Sequence, residues 1–272
     1  MLVRAMARWL GVAFVLSLVA AISHADESLD AGTALARQVY ARPDGRDLSL
    51  RLRMTLTERG HAPRNRLFYS YRQDLGGGNV RSLARFQEPA DVAGTGLLTL
   101  DTPAAESAQW LYLPAIKKER RISGSRKGGR FVGSDLYFED LRDRPVERDR
   151  HRLIGTDSFQ GTSCQVLESI PSDPDNSVYS KRLSCIHPET FLPLRIEFFA
   201  GGKTVPAKRF TVSRIKRIQG YWTVLDSTMT DLSSGHETRI EAEAVKYDQG
   251  LPASLFSVQT LTDPAQDKRF RP

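Results

Sequence analysis

Three observations predict a mainly β protein built on one strongly curved antiparallel sheet of about eleven strands, covered by short helices. Apolar and polar residues alternate with period two through most of the chain. Leu48, Leu50, Leu52, Met54 and Leu56 against Ser49, Arg51, Arg53, Thr55 and Thr57 show the pattern of a half-buried strand. Turn-forming Gly, Pro and Asp recur at the short spacing of a meander. One stretch alone has a clear helical period, and strand–helix–strand units are absent, which excludes a parallel α/β sheet.

The N-terminal 25 residues read as an export signal. Arg4 and Arg8 form a positive region, Trp9 to Ile22 an apolar run, and Ser23-His24-Ala25 a small-x-small cleavage site. The apolar run is about fourteen residues, short of the roughly twenty needed to span hydrocarbon, so cleavage is expected rather than anchoring. No Cys follows it to carry a lipid. The expected organisation is 1–25 signal, 26–266 one domain and 267–272 a short flexible tail. Loss of Arg4 and Arg8 lowers the formal charge from +7 to +5. The exported chain stays mildly basic, a bias toward anionic partners.

Leu29 to Tyr40 places Leu35, Ala36 and Val39 on one helical face, and Pro43-Asp44-Gly45 ends that helix. Strands follow at Leu48 to Leu56, Arg66 to Asp74, Val80 to Gln87 and Gly96 to Leu100. Beyond a central stretch they resume at Arg152 to Thr156, Thr162 to Ile170, Val178 to Cys185, Leu192 to Phe199, Thr204 to Arg214, Tyr221 to Thr230 and Glu237 to Lys246. Leu194, Ile196 and Phe198 oppose Arg195 and Glu197, so one sheet face is apolar and the other wet. Helical covers for the apolar face are expected at Leu29 to Tyr40, Ser134 to Leu141 and Leu251 to Phe256. Cys164 and Cys185 flank the turn-rich PSDPDN, face each other across a hairpin, and are expected to form a disulfide in an oxidising compartment. Their spacing is not the C-x-x-C of a redox pair.

The central stretch, Trp110 to Leu141, joins large apolar residues to positive charge. Trp110, Tyr112, Phe131, Tyr137 and Phe138 are candidates to line an apolar cavity. Lys117, Lys118, Arg120, Arg121, Arg126, Lys127 and Arg130 put seven cations within fourteen residues, a candidate basic rim for phosphate head groups, a membrane surface or an acidic partner protein. Export argues against a nucleic-acid role. The glycines at 124, 128, 129 and 133 lack the order of a phosphate-binding loop, and Ser123, Ser125 and Ser134 sit in no G-x-S-x-G elbow. His61, His151, His187 and His236 are scattered without metal-ligand spacing. The reading is therefore of a non-enzymatic binding protein with no catalytic residue, metal or cofactor.

L-Y-L-P followed by K-K-x-R-R-I-S-G-S and F-x-G-S-D-L-Y-F-E-D-L, in Leu111 to Leu141, resembles the bacterial outer-membrane lipoprotein-sorting proteins, LolA-like carriers of the periplasm. Arg81 to Gly96 and Ser180 to Phe199 extend the resemblance over most of the chain. It implies an unclosed half-barrel with helical lids, and a monomeric periplasmic carrier for the acyl chains of a lipid or lipoprotein. Some carriers of this kind work beside inner-membrane transporters of the RND class, and the basic rim adds an expected peripheral contact with the membrane. Relatives on this fold also include sensors that bind a protein partner, so a sensor or adaptor module is the alternative. No individual cargo-binding residue is carried over.

Overall fold

The structure, a computed structural model, describes residues 27–103 and 105–272. The expected export signal lies outside the described residues. Thirteen strands form one antiparallel sheet: β1 (Asp47–Thr57), β2 (Arg64–Asp74), β3 (Val80–Glu88), β4 (Gly96–Asp101), β5 (Ala108–Leu113), β6 (Lys118–Ile122), β7 (Asp149–Phe159), β8 (Thr162–Pro171), β9 (Lys181–Ile186), β10 (Pro193–Phe199), β11 (Lys208–Ile218), β12 (Tyr221–Asp231) and β13 (Glu237–Tyr247). Their order is β6-β5-β4-β3-β2-β1-β13-β12-β11-β10-β9-β8-β7. Strand β1 sits in the middle, paired to β2 on one side and to β13 on the other. The two extra strands over the expected eleven are β5 and β6, inside the central stretch, where the cations of β6 hide the alternation.

Strands β6 and β7 are the two edges, so the sheet is unclosed, yet it is curled far from flat. Arg142 reaches Gln109 on β5 at 2.9 Å, and Arg144, two residues later, reaches Asp149 on β7 at 2.7 Å. These strands are eleven positions apart in the sheet order. At about 4.8 Å per strand a flat sheet would hold them roughly 50 Å apart. Register shifts at Arg51/Leu52, Leu153/Gly155 and Val212/Arg214 supply part of the bending.

The alternation divides the side chains between two faces. Leu52, Met54 and Leu56 of β1, Phe68, Phe86, Leu97, Phe198 and Met229 form the inner core together with Phe131, Leu136 and Phe138. Those last three belong to the connection 123–148, which runs from one edge to the other across the inner face. On the outer face of β2–β5, Tyr71, Leu83 and Leu98 pack under Leu251, Leu255, Phe256 and Leu261 of the C-terminal segment.

Of the expected helical covers, the first is present. Helix α1 (27–40) buries Leu35 and Ala36 against Leu167 of β8 and Ile186 of β9. Gly32 is required there, because a Cβ would lie 2.5 Å from the Arg152 backbone. The second is corrected: Ser134 to Leu141 holds one 3-10 turn, Glu139–Leu141, because Tyr137 bridges the Arg130 backbone and the Asp135 amide is spent on Thr238. The third is also corrected. Leu251 to Phe256 carries a 3-10 turn, Ala253–Leu255, followed by α2 (Val258–Thr262), and both lie on the outer face.

Cys164 and Cys185 are bonded, with Cα atoms 5.3 Å apart. In the β8–β9 register Cys185 faces Val166, so the bridge is diagonal rather than directly across. Asp267, the first residue of the expected tail, is fully buried, with its carboxylate 2.7 Å from Arg85 Nε.

Candidate functional site

The connection 123–148 fills part of the inner face and leaves a cavity in the rest. Phe131 is 2% exposed and packs between Phe86 at 5.5 Å and Phe138 at 6.2 Å. Next to it Asp135 is wholly buried and accepts hydrogen bonds from the Thr238 hydroxyl at 2.7 Å and His236 Nδ1 at 2.6 Å. Lys208 Nζ donates to the Asp135 carbonyl at 2.6 Å. Burial first pushes the Lys208 ammonium down to about 8, while Asp140 and Asp135 oppose that shift. Hydrophobic burial and the hydrogen bonds of Asp135 and Lys208 thus pin the connection against β11–β13.

Beneath α1 a cavity of about 470 Å³ remains on the inner face of β8–β12. Its apolar wall is Ala36 and Val39 of α1, Leu167, Ile186, Ile196, Phe198, Phe210 and Met229. The opposite wall is polar and belongs to residues 139–149 with Arg182. Asp149 takes Arg144 Nε and Nη2 at 2.8 and 2.7 Å and Arg182 Nη1 at 2.9 Å. Burial alone would raise its carboxyl; the Arg144 hydrogen bond and the two guanidinium charges hold it below the usual carboxylate range. Glu139 accepts from Arg182 at 3.1 Å, from the Val178 amide at 2.8 Å and from the Ser177 hydroxyl. Asp140 is raised by burial, although Tyr179 and the Tyr137 amide donate to it.

A histidine also meets this cavity. His151 and Ser169 are direct cross-strand partners, with Nδ1 2.9 Å from the hydroxyl and Nε2 2.9 Å from the Val146 carbonyl. Both ring nitrogens are therefore spent on a serine and a backbone carbonyl, the environment of a satisfied core histidine. Among the described residues no group of three or more His, Cys, Asp or Glu could hold a metal ion. What the site offers is an open, mainly apolar cavity with a charged, hydrogen-bonded margin, in the size range of about 300–1,000 Å³ usual for small-molecule pockets.

The five aromatic candidates fall on two faces. Trp110 and Tyr112 pack under the C-terminal segment on the outer face, with the Arg121 guanidinium 5.9 Å from the Trp110 ring. Phe131 and Phe138 are buried in the inner core, and Tyr137 stacks on Tyr179 at 5.9 Å. None of the five borders the 470 Å³ cavity. Its lining comes instead from α1 and from strands whose alternation is plain in the sequence, Ile196 and Phe198 among them. What alternation does not convey is which strands lie under that helix.

The seven cations divide as well. Lys117, Lys118, Arg120, Arg121 and Arg126 are exposed and, among the described residues, form no ion pair. Lys127 Nζ donates to the Asp175 carbonyl, and Arg130 pairs with Asp231 at 2.9 Å and with Asp135 at 3.7 Å. The free five sit on the β5–β6 hairpin and the turn after it, beside the exposed Ile116.

A family model described as an uncharacterized protein matches residues 78–263. The chain is similar to an outer membrane lipoprotein-sorting protein domain from Vibrio parahaemolyticus, 30% identical over 86% of this chain and 99% of that one, with a TM-score of 0.81. A DUF1329 family protein from Desulfovibrio piger matches equally, at 30% identity, the same coverages and a TM-score of 0.81. A LolA superfamily protein from Nitrosomonas europaea, 20% identical over 86% of this chain and 97% of that one, shares the fold with a TM-score of 0.63. None of the curated proteins matches this chain.

Proposed function

Because this chain belongs to the outer-membrane lipoprotein-sorting family with the LolA-like fold, we propose that it is a periplasmic carrier which holds the acyl or other apolar part of a lipid or lipoprotein and hands it on without covalent chemistry. The observation that carries this reading is the open cavity of about 470 Å³ lined by α1, the inner face of β8–β12 and the 139–149 wall. Burial contributes about 0.8 kcal/mol per methylene, so ten methylenes contribute about 8 kcal/mol before the cost of ordering them. The export signal supplies the route to the periplasm, and the free cations of the β5–β6 hairpin would orient the carrier toward anionic head groups. Transfer to or from an inner-membrane transporter of the RND class is the step this reading assigns to its partner.

Native mass spectrometry of the protein purified from the periplasm, with lipid extraction, tests the proposal. A bound acylated molecule is expected, and Ile196→Glu or Phe210→Glu, which place a charge in the cavity wall, should release it. A consistently empty protein that co-purifies with one stable polypeptide would instead favour a partner-sensing module.

A further inference from the structure

Residues Glu139 and Arg142 to Pro145 form a partition. They line the apolar cavity on one side and, on the other, a more polar cavity of about 590 Å³ bordered by Ser107, Ser125, Lys127 and Asn176. Every charge of this partition has an ion-pair partner, but among the described residues one of them keeps a donor unmade. Glu139 is held by Arg182, Ser177 and Val178, and Arg144 by Asp149 and Asn176. Asp143 pairs loosely with Arg72 at 3.9 Å.

The residue with the unmade donor is Arg142. Its side chain is 10% exposed, its Nε donates to Gln109 at 2.9 Å, and its Nη1 lies 3.7 Å from Glu106, an acid whose own side chain is 64% exposed. Its Nη2 is buried and, among the described residues, has no hydrogen-bond partner. A guanidinium cannot shed its proton, and a buried donor left unmade is costly. Asp101 Oδ1 is likewise buried without a partner, but no ion pair within 4.0 Å joins the two residues. Burial, first, pushes the Asp101 carboxyl up to about 6.

We propose that Arg142 anchors the anionic oxygen of an amphiphile whose apolar chain occupies the cavity beneath α1, with the head group at the shared wall. This inference rests on the carrier reading and adds the ligand class to it: a carboxylate or phosphate head on an alkyl chain. A planar guanidinium that borders both cavities, its Nη1 held only by the exposed Glu106 at 3.7 Å, suits either head, because each presents oxygens that accept charge-assisted hydrogen bonds. The position between an apolar and a polar compartment matches the two ends of such a molecule.

Calorimetric titration of the full chain with dodecanoate, dodecyl phosphate and dodecanol tests it. The unmodified protein is expected to bind at least one anionic probe about tenfold more tightly than the alcohol, and the tighter of the two identifies the source as carboxylate or phosphate. Arg142→Gln should abolish that preference by weakening the anionic probes about tenfold more than dodecanol, while Arg142→Lys retains part of it. Equal binding of all three probes by the unmodified protein overturns the head-group assignment and leaves the carrier reading standing. So does an Arg142→Gln variant that weakens the alcohol as much as the anions, since that marks a purely structural arginine. Binding of none of the three overturns both. The unmodified protein's own preference is read without any variant, so a poorly folded Arg142→Gln does not stop the titration from deciding the question.

Discussion

At the scale of single residues, the charges that matter most are those the sequence disguises. Arg85 shares its strand face with Arg81 and Leu83, a mixed face that suggests contact with water, and Asp267 sits in what reads as a charged tail. In the fold both side chains are fully buried and paired at 2.7 Å, and Arg85 also donates to the carbonyls of Thr260, Leu261 and Gly94. Alternation reports which face a side chain takes, but not whether a later segment will cover that face. Asp267→Asn should therefore cost about 3–5 kcal/mol in urea unfolding, the penalty of an uncompensated buried charge, whereas a double replacement of the pair by apolar residues should cost markedly less. If Asp267→Asn left the urea midpoint unchanged, the Arg85–Asp267 pair would not be what holds the C-terminal segment on β3. Asp101 gives the pH counterpart. Its carboxyl is raised to about 6 by burial first, with the Ser107 and Asp143 hydrogen bonds opposing. A carboxyl raised in the folded state favours folding most below its unfolded value near 4, and that contribution is lost as pH rises through about 6. Asp101→Asn, which cannot ionise, should therefore be more stable than the parent protein at about pH 7.5, and the advantage should vanish by about pH 4. Thermal melts at the two pH values check both halves of that expectation.

At the scale of elements, the regular parts of the fold are legible in the sequence and the irregular part is not. Strands with period two, such as β1, β10 and β13, and the helix carrying Leu35, Ala36 and Val39 follow from patterns that a buried face imposes on sequence. The Cys164–Cys185 bridge follows from pairing two cysteines across one hairpin, although its diagonal register does not. The connection 123–148 has no period at all. Its path is fixed by Phe131 reaching Phe86 and by Asp135 reaching Thr238 and His236, contacts between residues far apart in sequence. The same limit explains the cavity: its lining needs α1 laid over β8 and β9, and only Gly32 hints at that packing. Gly32→Ala should test it, since the new methyl would stand 2.5 Å from the Arg152 backbone and the helix must lift. Overpacking of this kind costs roughly 1–3 kcal/mol. Affinity for an apolar probe in the cavity should fall with it, while a control substitution to Ala at the exposed Arg37 leaves both unchanged.

At the scale of the whole molecule, the curl of the sheet brings the two edges together. Arg142 touches β5 and Arg144 touches β7, so the seam of the half-barrel, both cavities and the basic hairpin fall on one side of the protein. Ser125 and Lys127, which follow shortly after β6, already border the polar cavity. An anionic membrane approached by Lys117, Lys118, Arg120 and Arg121 would thus meet the molecule near the seam where cargo must pass. Each such cation near an anionic bilayer contributes about 1 kcal/mol, so removing four should lower vesicle affinity by roughly three orders of magnitude. Sedimentation with phosphatidylglycerol vesicles is the measurement. The parent protein should bind, lose binding steeply with added salt, and ignore phosphatidylcholine vesicles, while charge reversal at the four positions abolishes the interaction. Because these side chains are exposed and form no ion pairs among the described residues, the variant should fold and still take up an apolar probe in solution. Loss of probe uptake together with vesicle binding would instead show that the hairpin supports the cavity. Unchanged vesicle binding would move the docking surface elsewhere on the sheet.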